Sequence, residues 1–139
     1  NYDHVHLPGF VPPRLIGDYQ AAADVLVLPN TPDYALRDYT SPLKLFEYMA
    51  AGRPVVASDL PVFREILQPE HNGVLVEAGN PRALADSIRK VLDDPSFSAG
   101  LAHTAKQQVS AFTYRKRAAD IMNFIKEKTG WKWHNRRDL

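Results

Sequence analysis

The stretch TSPLKLFEYMAAGRPVVASDLP, residues Thr40–Pro61, predicts a helix that is followed at once by a buried strand. Its serine–proline pair indicates a helix from about Pro42 to Ala51, and Gly52 occupies the usual left-handed cap position at a helix end. The run PVVAS, Pro54–Ser58, is continuously apolar, which is typical of a strand covered on both faces. A helix leading directly into such a strand is the repeating unit of a parallel α/β sheet.

Strand and helix signals alternate along the rest of the chain. The predicted strands are His4–Leu7 (HVHL), Asp24–Pro29 (DVLVLP), Pro54–Ser58 and Gly73–Glu77 (GVLVE). Besides the helix above, we predict helices within 13–23, 61–67, 80–94, 95–112 and 113–130, and a loop over 30–40. This order predicts an α/β fold with a doubly wound, Rossmann-like parallel sheet. Ligands of such folds bind outside the carboxyl ends of the strands.

Composition excludes several classes of protein. The chain has 139 residues, enough for one domain with a core, and its formal net charge of +1 does not favour nucleic acid as a partner. It has no cysteine, which rules out disulfides, cysteine zinc sites and cysteine nucleophiles and is compatible with a cytoplasmic protein. No apolar run approaches the roughly 20 residues that span a bilayer.

Lys44 stands where a helix usually avoids a cation, because the N-terminus of a helix already carries partial positive charge. Ser41 is the expected cap of this helix. The amide groups that would then remain free to point forward are those of Leu43, Lys44 and Leu45. Such amides form an anion site, and a lysine in the same turn is tolerated when an anion lies between them. Phosphate is the anion that fits best.

Glu47 lies three residues after Lys44, on the same helical face. A carboxylate accepts hydrogen bonds from the two adjacent hydroxyls of a ribose, so phosphates at the helix tip and ribose one turn along would suit a nucleoside diphosphate. The opposite stripe, Leu43, Phe46 and Ala50, is predicted to face the sheet. The alternative is that Lys44 and Glu47 form an exposed ion pair worth at most ~0.5 kcal/mol.

The segment SPLKLFEYMAAGRPVVASD resembles the donor-binding segment of retaining glycosyltransferases with the GT-B fold, of the group 1 or family 4 type. The resemblance covers roughly Val5 to Lys128. It extends through VHLPGFV (5–11), YQAAADVLVLP (19–29), FREIL (63–67), NGVLVEAGNPRALADSIRKVLDD (72–94) and the late helices. It implies the C-terminal half of a GT-B enzyme, without the first strand–helix units of its nucleotide domain.

The resemblance implies a role for each residue of the motif. The donor diphosphate would be held by Ser41, Pro42, Leu43 and Lys44, and Glu47 would bind the ribose. Lys44 is the expected catalytic residue, because it would stabilise the departing diphosphate as negative charge grows on it.

The loop Gly9, Phe10 and Val11 corresponds to the family's loop beside the nucleotide base. Gly9 would permit close approach of backbone to ligand, and a plain turn glycine is the alternative. Many relatives carry a second glutamate at the position of Tyr39, where it touches the donor sugar. Tyrosine cannot replace a carboxylate, so no sugar contact is assigned to Tyr39. The nearby Asp38 and Asp33 are expected to be solvated loop acids.

The implied protein is a hexosyltransferase-type enzyme that uses a nucleoside-diphosphate sugar, with UDP or GDP as the expected nucleotide and no cofactor or metal. His4 and His6 share a strand face, but no further ligand follows at metal-site spacing. The acceptor would be a glycan or a lipid-linked molecule, bound by an N-terminal domain outside this chain, so the chain alone should not catalyse transfer. A sugar-nucleotide epimerase and a non-catalytic GT-B-derived binding module are the alternatives.

The resemblance implies that the chain divides into a partial nucleotide-sugar-binding domain, 1–128, and a basic, aromatic tail, 129–139. The tail's WKWHNRRDL favours either packing on the N-terminal domain or peripheral contact with a membrane. The expected location is the cytoplasm. The inner face of the membrane is an open alternative, because the tail could contact it.

Overall fold

A computed structural model describes residues 3–33 and 41–130 of the chain. Its sheet has three parallel strands in the order β1 (Leu26–Leu28), β2 (Val55–Ser58) and β3 (Val74–Val76). Leu26 is paired with Val55, and Val56 with Val74. The three apolar runs predicted as buried strands are therefore confirmed, each shorter than its sequence signal.

Helices connect and flank the strands. Their bounds are α1 Pro13–Ala22, α2 Leu43–Ala51, α3 Pro61–Arg64, α4 Pro81–Asp93, α5 Pro95–Gln108, a 3₁₀ helix Val109–Phe112, and α6 Tyr114–Thr129. Local chemistry sets several of these ends. The Asn80 side chain caps α4 by accepting the Ala83 N–H at 3.0 Å, and Gly52 ends α2 with φ 69°.

The central strand β2 separates two hydrophobic clusters. Val55 and Ala57 join one with α2, α3 and part of α5, and Val56 joins the other, where α4 packs. Successive side chains of a strand point to opposite faces, so helices on both faces bury β2 completely. The doubly wound α/β architecture predicted from the sequence is thus confirmed.

The predicted strand His4–Leu7 is wrong. Residues 5–10 have no regular secondary structure, and the side chains of Val5 and Leu7 are 56% and 89% exposed. A strand forms only where a neighbouring strand accepts and donates its backbone hydrogen bonds, and none of the described strands lies beside this segment. The alternation of apolar and polar residues is therefore not enough to form a strand in this segment.

The buried face of α2 also differs from the prediction. Leu45 and Met49 are completely buried, whereas Leu43 is 51% exposed and Ala50 is exposed. Phe46 is only partly buried. Burial of a side chain as large as Leu or Met stabilises the fold by about 1.5–3 kcal/mol, so the i, i+4 pair of Leu45 and Met49 fixes the rotation of the helix.

Two predicted segments lie outside the described residues. They are most of the loop, 34–40, and the tail from 131 onward. Over the parts that the structure does describe, no helix combines the length and apolarity needed to cross a bilayer.

Candidate functional site

A cleft of about 360 Å³ opens at the carboxyl edge of the sheet. We call it the β1–α2 cleft, because its walls are the end of β1 with Asn30, the start of α2 with Ser41 and Lys44, and Val62 and Phe63 of α3. The Ser58 hydroxyl at the end of β2 donates to the Asn30 carbonyl oxygen at 2.6 Å and ties the two strand ends together. This is the edge at which parallel α/β sheets bind ligands.

The start of α2 presents fewer free amides than the sequence predicts. The Leu43 N–H donates to the Ser41 carbonyl and the Leu45 N–H to the Pro42 carbonyl, both at 2.9 Å. Pro42, with ψ 73°, is the N-cap, and no side chain caps the helix. The prediction that Ser41 caps α2 is therefore wrong. Of the three amides, only that of Lys44 has no acceptor among the described residues.

Lys44 and Glu47 do not form the exposed ion pair that was the alternative interpretation. Both side chains are exposed, and neither is paired with a charged group of the described residues. Lys44 lines the β1–α2 cleft, whereas Glu47 lines a different one. Among residues 3–33 and 41–130, nothing therefore occupies either charged group ahead of a ligand.

The second cleft, of about 590 Å³, lies on the other side of α2, and we call it the α2–α6 cleft. Its walls include Glu47, the Phe46–Phe112 pair, whose rings stack with centroids 5.0 Å apart, and Lys116 and Arg117 of α6. Ser41 and Leu43 line both clefts, so the two meet at the start of α2.

Sequence reasoning missed the contribution of the late helices to this site. Phe112, Lys116 and Arg117 are more than 60 residues from α2 in the chain and carry no motif of their own. Only the basic cluster TYRKR, residues 113–117, could have drawn attention to this segment.

Tyr48 is the titratable group of α2 whose pKa the fold shifts. Burial of its ring is the main cause, and the charge of the adjacent Glu47 adds to it, so the pKa of Tyr48 is raised above its ordinary value.

The predicted base loop is not brought to either cleft. Gly9 adopts φ 71°, a left-handed turn, but an added Cβ would meet nothing within 4 Å. Phe10 is 87% exposed, and Val11 is partly buried. Within the described chain, Gly9 therefore serves a turn and makes no close approach.

The remaining sequence candidates make no site of their own. Tyr39 and Asp38 lie outside the described residues, and Asp33, His4 and His6 are exposed. Across residues 3–33 and 41–130, no three His, Asp or Glu side chains are grouped so that they could hold a metal ion.

Comparison with known proteins places these features in a family. The family model described as Glycosyl transferases group 1 matches residues 1–94. The phosphatidyl-myo-inositol mannosyltransferase of Mycobacterium leprae is 32% identical over 120 residues, which cover 86% of this chain and 31% of that protein. The D-inositol 3-phosphate glycosyltransferase of Thermobispora bispora is 30% identical over 125 residues, covering 90% and 28%.

Solved structures show the same architecture. Sucrose-phosphate synthase from Thermosynechococcus elongatus superimposes with a TM-score of 0.65 at 29% identity, over 78% of this chain and 26% of that one. Anabaena Alr3699/HepE, solved in complex with UDP, gives a TM-score of 0.65 over 76% of this chain and 29% of its own, but its 24% identity concerns the fold alone.

The chain spans about a third or less of the length of the curated relatives named above. The match to the family model includes all the residues that line the β1–α2 cleft, and the relatives and the fold point to the same family. This chain therefore belongs to the glycosyl transferases group 1 family.

Proposed function

We propose that this chain is the donor-binding part of a GT-B glycosyltransferase that transfers a sugar from a nucleoside diphosphate to an acceptor hydroxyl, with retention of configuration. One observation carries the proposal. The start of α2, where Lys44 has no charged partner among residues 3–33 and 41–130, stands at the junction of the β1–α2 cleft, at the carboxyl edge of the sheet, and the α2–α6 cleft.

The diphosphate would lie at that junction. The N–H of Lys44, which has no acceptor in the part of the chain that the structure describes, and its side chain would both contact an anion placed at the start of α2, where the helix dipole also favours negative charge. Negative charge grows on the diphosphate as the bond to the sugar breaks, so a fixed cation there stabilises the transition state more than the ground state. We assign this role to Lys44 rather than to a metal ion.

The two clefts would fix the orientation of the bound donor. Glu47 lines the α2–α6 cleft, so the ribose, whose hydroxyls would donate to its carboxylate, would lie there. The sugar would then enter the β1–α2 cleft, against Asn30 and the apolar wall formed by Val62 and Phe63. The proposed base loop, Gly9–Val11, would need to approach the nucleotide from outside both clefts.

The relatives support the class of reaction. Two of them are named as a mannosyltransferase and a glycosyltransferase acting on inositol-containing molecules, and Alr3699/HepE shows that this fold can hold UDP. We therefore propose UDP or GDP as the nucleotide and a glycan or lipid-linked acceptor held by a further domain. In this proposal the enzyme works in the cytoplasm, with the inner face of the membrane as an open alternative, and this chain by itself does not catalyse transfer.

The test is a calorimetric titration of the full-length protein with UDP, GDP and ADP. Wild type is compared with Lys44→Ala and with Lys126→Ala, whose lysine is exposed on α6 and lines neither cleft. We expect one diphosphate to bind, and its affinity to fall about tenfold, ~1.4 kcal/mol, in Lys44→Ala alone. Failure of folded wild type to bind any of the three would refute the proposal, and an equal affinity in all variants would refute the role of Lys44.

A further inference from the structure

An ion pair closes the turn between β2 and α3. Arg64, the last residue of α3, donates through Nε and Nη2 to the two carboxylate oxygens of Asp59, which follows β2. This fork-to-fork geometry is more directional than a single contact. Asp59 does not cap α3, because Leu60 is the N-cap and no side chain caps the helix.

Both ends of the pair are anchored by backbone hydrogen bonds. The Asp59 N–H donates to the Val76 carbonyl of β3 at 2.6 Å, and the Arg64 N–H donates to the Leu60 carbonyl at 3.1 Å. Asp59 is thereby fixed to the edge of the sheet and Arg64 to the body of α3. The pair consequently spans the whole segment from the sheet to the end of the helix.

The residues enclosed by the pair form a wall of the β1–α2 cleft. Val62 and Phe63 are 5% and 4% exposed, and both line the cleft. Asp59 and Arg64 are not among its lining residues. The pair thus lies outside the lining of the cleft and joins the two ends of the segment that carries the wall.

Exposure argues that the pair positions α3 more than it stabilises the domain. The Arg64 side chain is 64% exposed and that of Asp59 27% exposed, and ion pairs of this kind add little to stability. The hydrogen bonds that Arg64 donates to Asp59, and the negative charge of Asp59, raise the pKa of Arg64 above its ordinary value. What the pair supplies is a fixed distance between the sheet edge and the end of a four-residue helix.

We propose that Asp59 and Arg64 are positioning residues that hold the α3 wall of the β1–α2 cleft against the sugar of the donor. This inference rests on the proposed function, which places the sugar in that cleft. A wall that shifts outward loses contact with the sugar, whereas the nucleotide, bound by Lys44 and Glu47, is left in place. The pair therefore sets the preference for the nucleotide sugar over the free nucleotide.

The experiment measures this preference in the full-length protein. Wild type and Arg64→Gln are titrated with UDP and UDP-glucose, and with GDP and GDP-mannose. We expect Arg64→Gln to weaken binding of the nucleotide sugar about fivefold and that of the free nucleotide less than about twofold. Arg64→Lys, which keeps the charge but loses the fork, is expected to fall between wild type and Arg64→Gln.

A matched control separates position from charge. Arg89 on α4 is paired with Asp86, and both side chains are well exposed and line neither cleft. Arg89→Gln removes one positive charge and one surface ion pair, as Arg64→Gln does. It is expected to leave both affinities unchanged.

The outcomes are distinguishable from a failure of the proposed function. If wild type binds a nucleotide and Lys44→Ala weakens it, but Arg64→Gln changes both ligands equally or neither, the positioning role is wrong and the proposed function stands. If wild type binds no nucleotide, both are wrong. Should Arg64→Gln fail to fold, the ratio measured for Arg64→Lys decides, because a ratio equal to that of wild type overturns the role of the fork.

Discussion

Lys44 and Glu47 stand one turn apart on α2, yet Lys44 lines the β1–α2 cleft and Glu47 lines the α2–α6 cleft. A ligand that touches both must cross the start of the helix. Such a ligand would be elongated, with its negative charge near the middle and a different chemical group at each end. Because the two residues line different clefts, substitutions of Lys44 and Glu47 should affect different parts of the ligand.

Glu47→Gln should weaken binding of a nucleoside diphosphate about tenfold, because hydrogen bonds from ribose hydroxyls to a charged acceptor contribute roughly 1.5–3 kcal/mol. It should leave the affinity for inorganic pyrophosphate unchanged, since pyrophosphate has no ribose. Lys44→Ala should weaken both ligands. Calorimetry with UDP or GDP and with pyrophosphate checks this, and loss of pyrophosphate binding in Glu47→Gln would contradict the assignment.

Gly52→Ala should destabilise the protein by about 1–2 kcal/mol, because alanine at φ 69° is strained and its Cβ would lie 3.0 Å from Cδ of Lys106. Gly17→Ala in α1 is the control. An added Cβ there meets nothing within 4 Å, so better helix propensity should stabilise the protein by about 0.5–1 kcal/mol. Thermal unfolding of the two variants should shift in opposite directions, and equal shifts would refute the reason given.

Asn72→Ala should destabilise the protein by roughly 2–4 kcal/mol. The Asn72 side chain is 1% exposed, accepts the Gln68 N–H at 2.7 Å, and donates to the Ile66 carbonyl at 3.0 Å and to Oε1 of Gln108. Its removal leaves the part-buried Gln68 N–H and Ile66 carbonyl without their partner. Gln108→Ala, which breaks only one of the three bonds, should cost clearly less in urea unfolding, and a reversed order would contradict this network.

Tyr48 should make the protein sensitive to alkali. Its pKa is raised in the folded state by burial and by Glu47, so above about pH 10 the unfolded chain loses this proton first. The unfolded state then binds fewer protons than the native state, and stability falls as pH rises through that range. The stability that depends on the protonated phenol is fully present below about pH 10, the pKa of an unfolded tyrosine.

Urea unfolding at several alkaline pH values measures this dependence. Tyr48→Phe should show a shallower loss of stability above about pH 10 than wild type, because phenylalanine has no proton to lose. Tyr114→Phe is the control, since Tyr114 is 77% exposed. An identical pH dependence of Tyr48→Phe and wild type would show that Tyr48 does not titrate differently in the two states.

Local sequence was sufficient wherever the interaction that decides the structure is local. The Asn80–Pro81 start of α4 and the Gly52 end of α2 depend on neighbours within one turn; α4 lies within the predicted range 80–94, and Gly52 ends α2 as predicted. The apolar runs of β1, β2 and β3 were recognised because strands buried on both faces need no alternation. The motif of α2 also identified the family, since its residues are contiguous in the chain.

Only the tertiary structure decided which of these elements meet. The alternating segment His4–Leu7 is not a strand, because pairing depends on a neighbour that no local pattern reports. The rotation of α2 follows from what Leu45 and Met49 pack against, and the α2–α6 cleft needs Phe112 to stack on Phe46 from a distant part of the chain. The sequence determined most of the elements, their order and the two charged residues on α2, Lys44 and Glu47. The directions in which those charges face were decided by packing between residues far apart in the chain, which leaves no local pattern in the sequence.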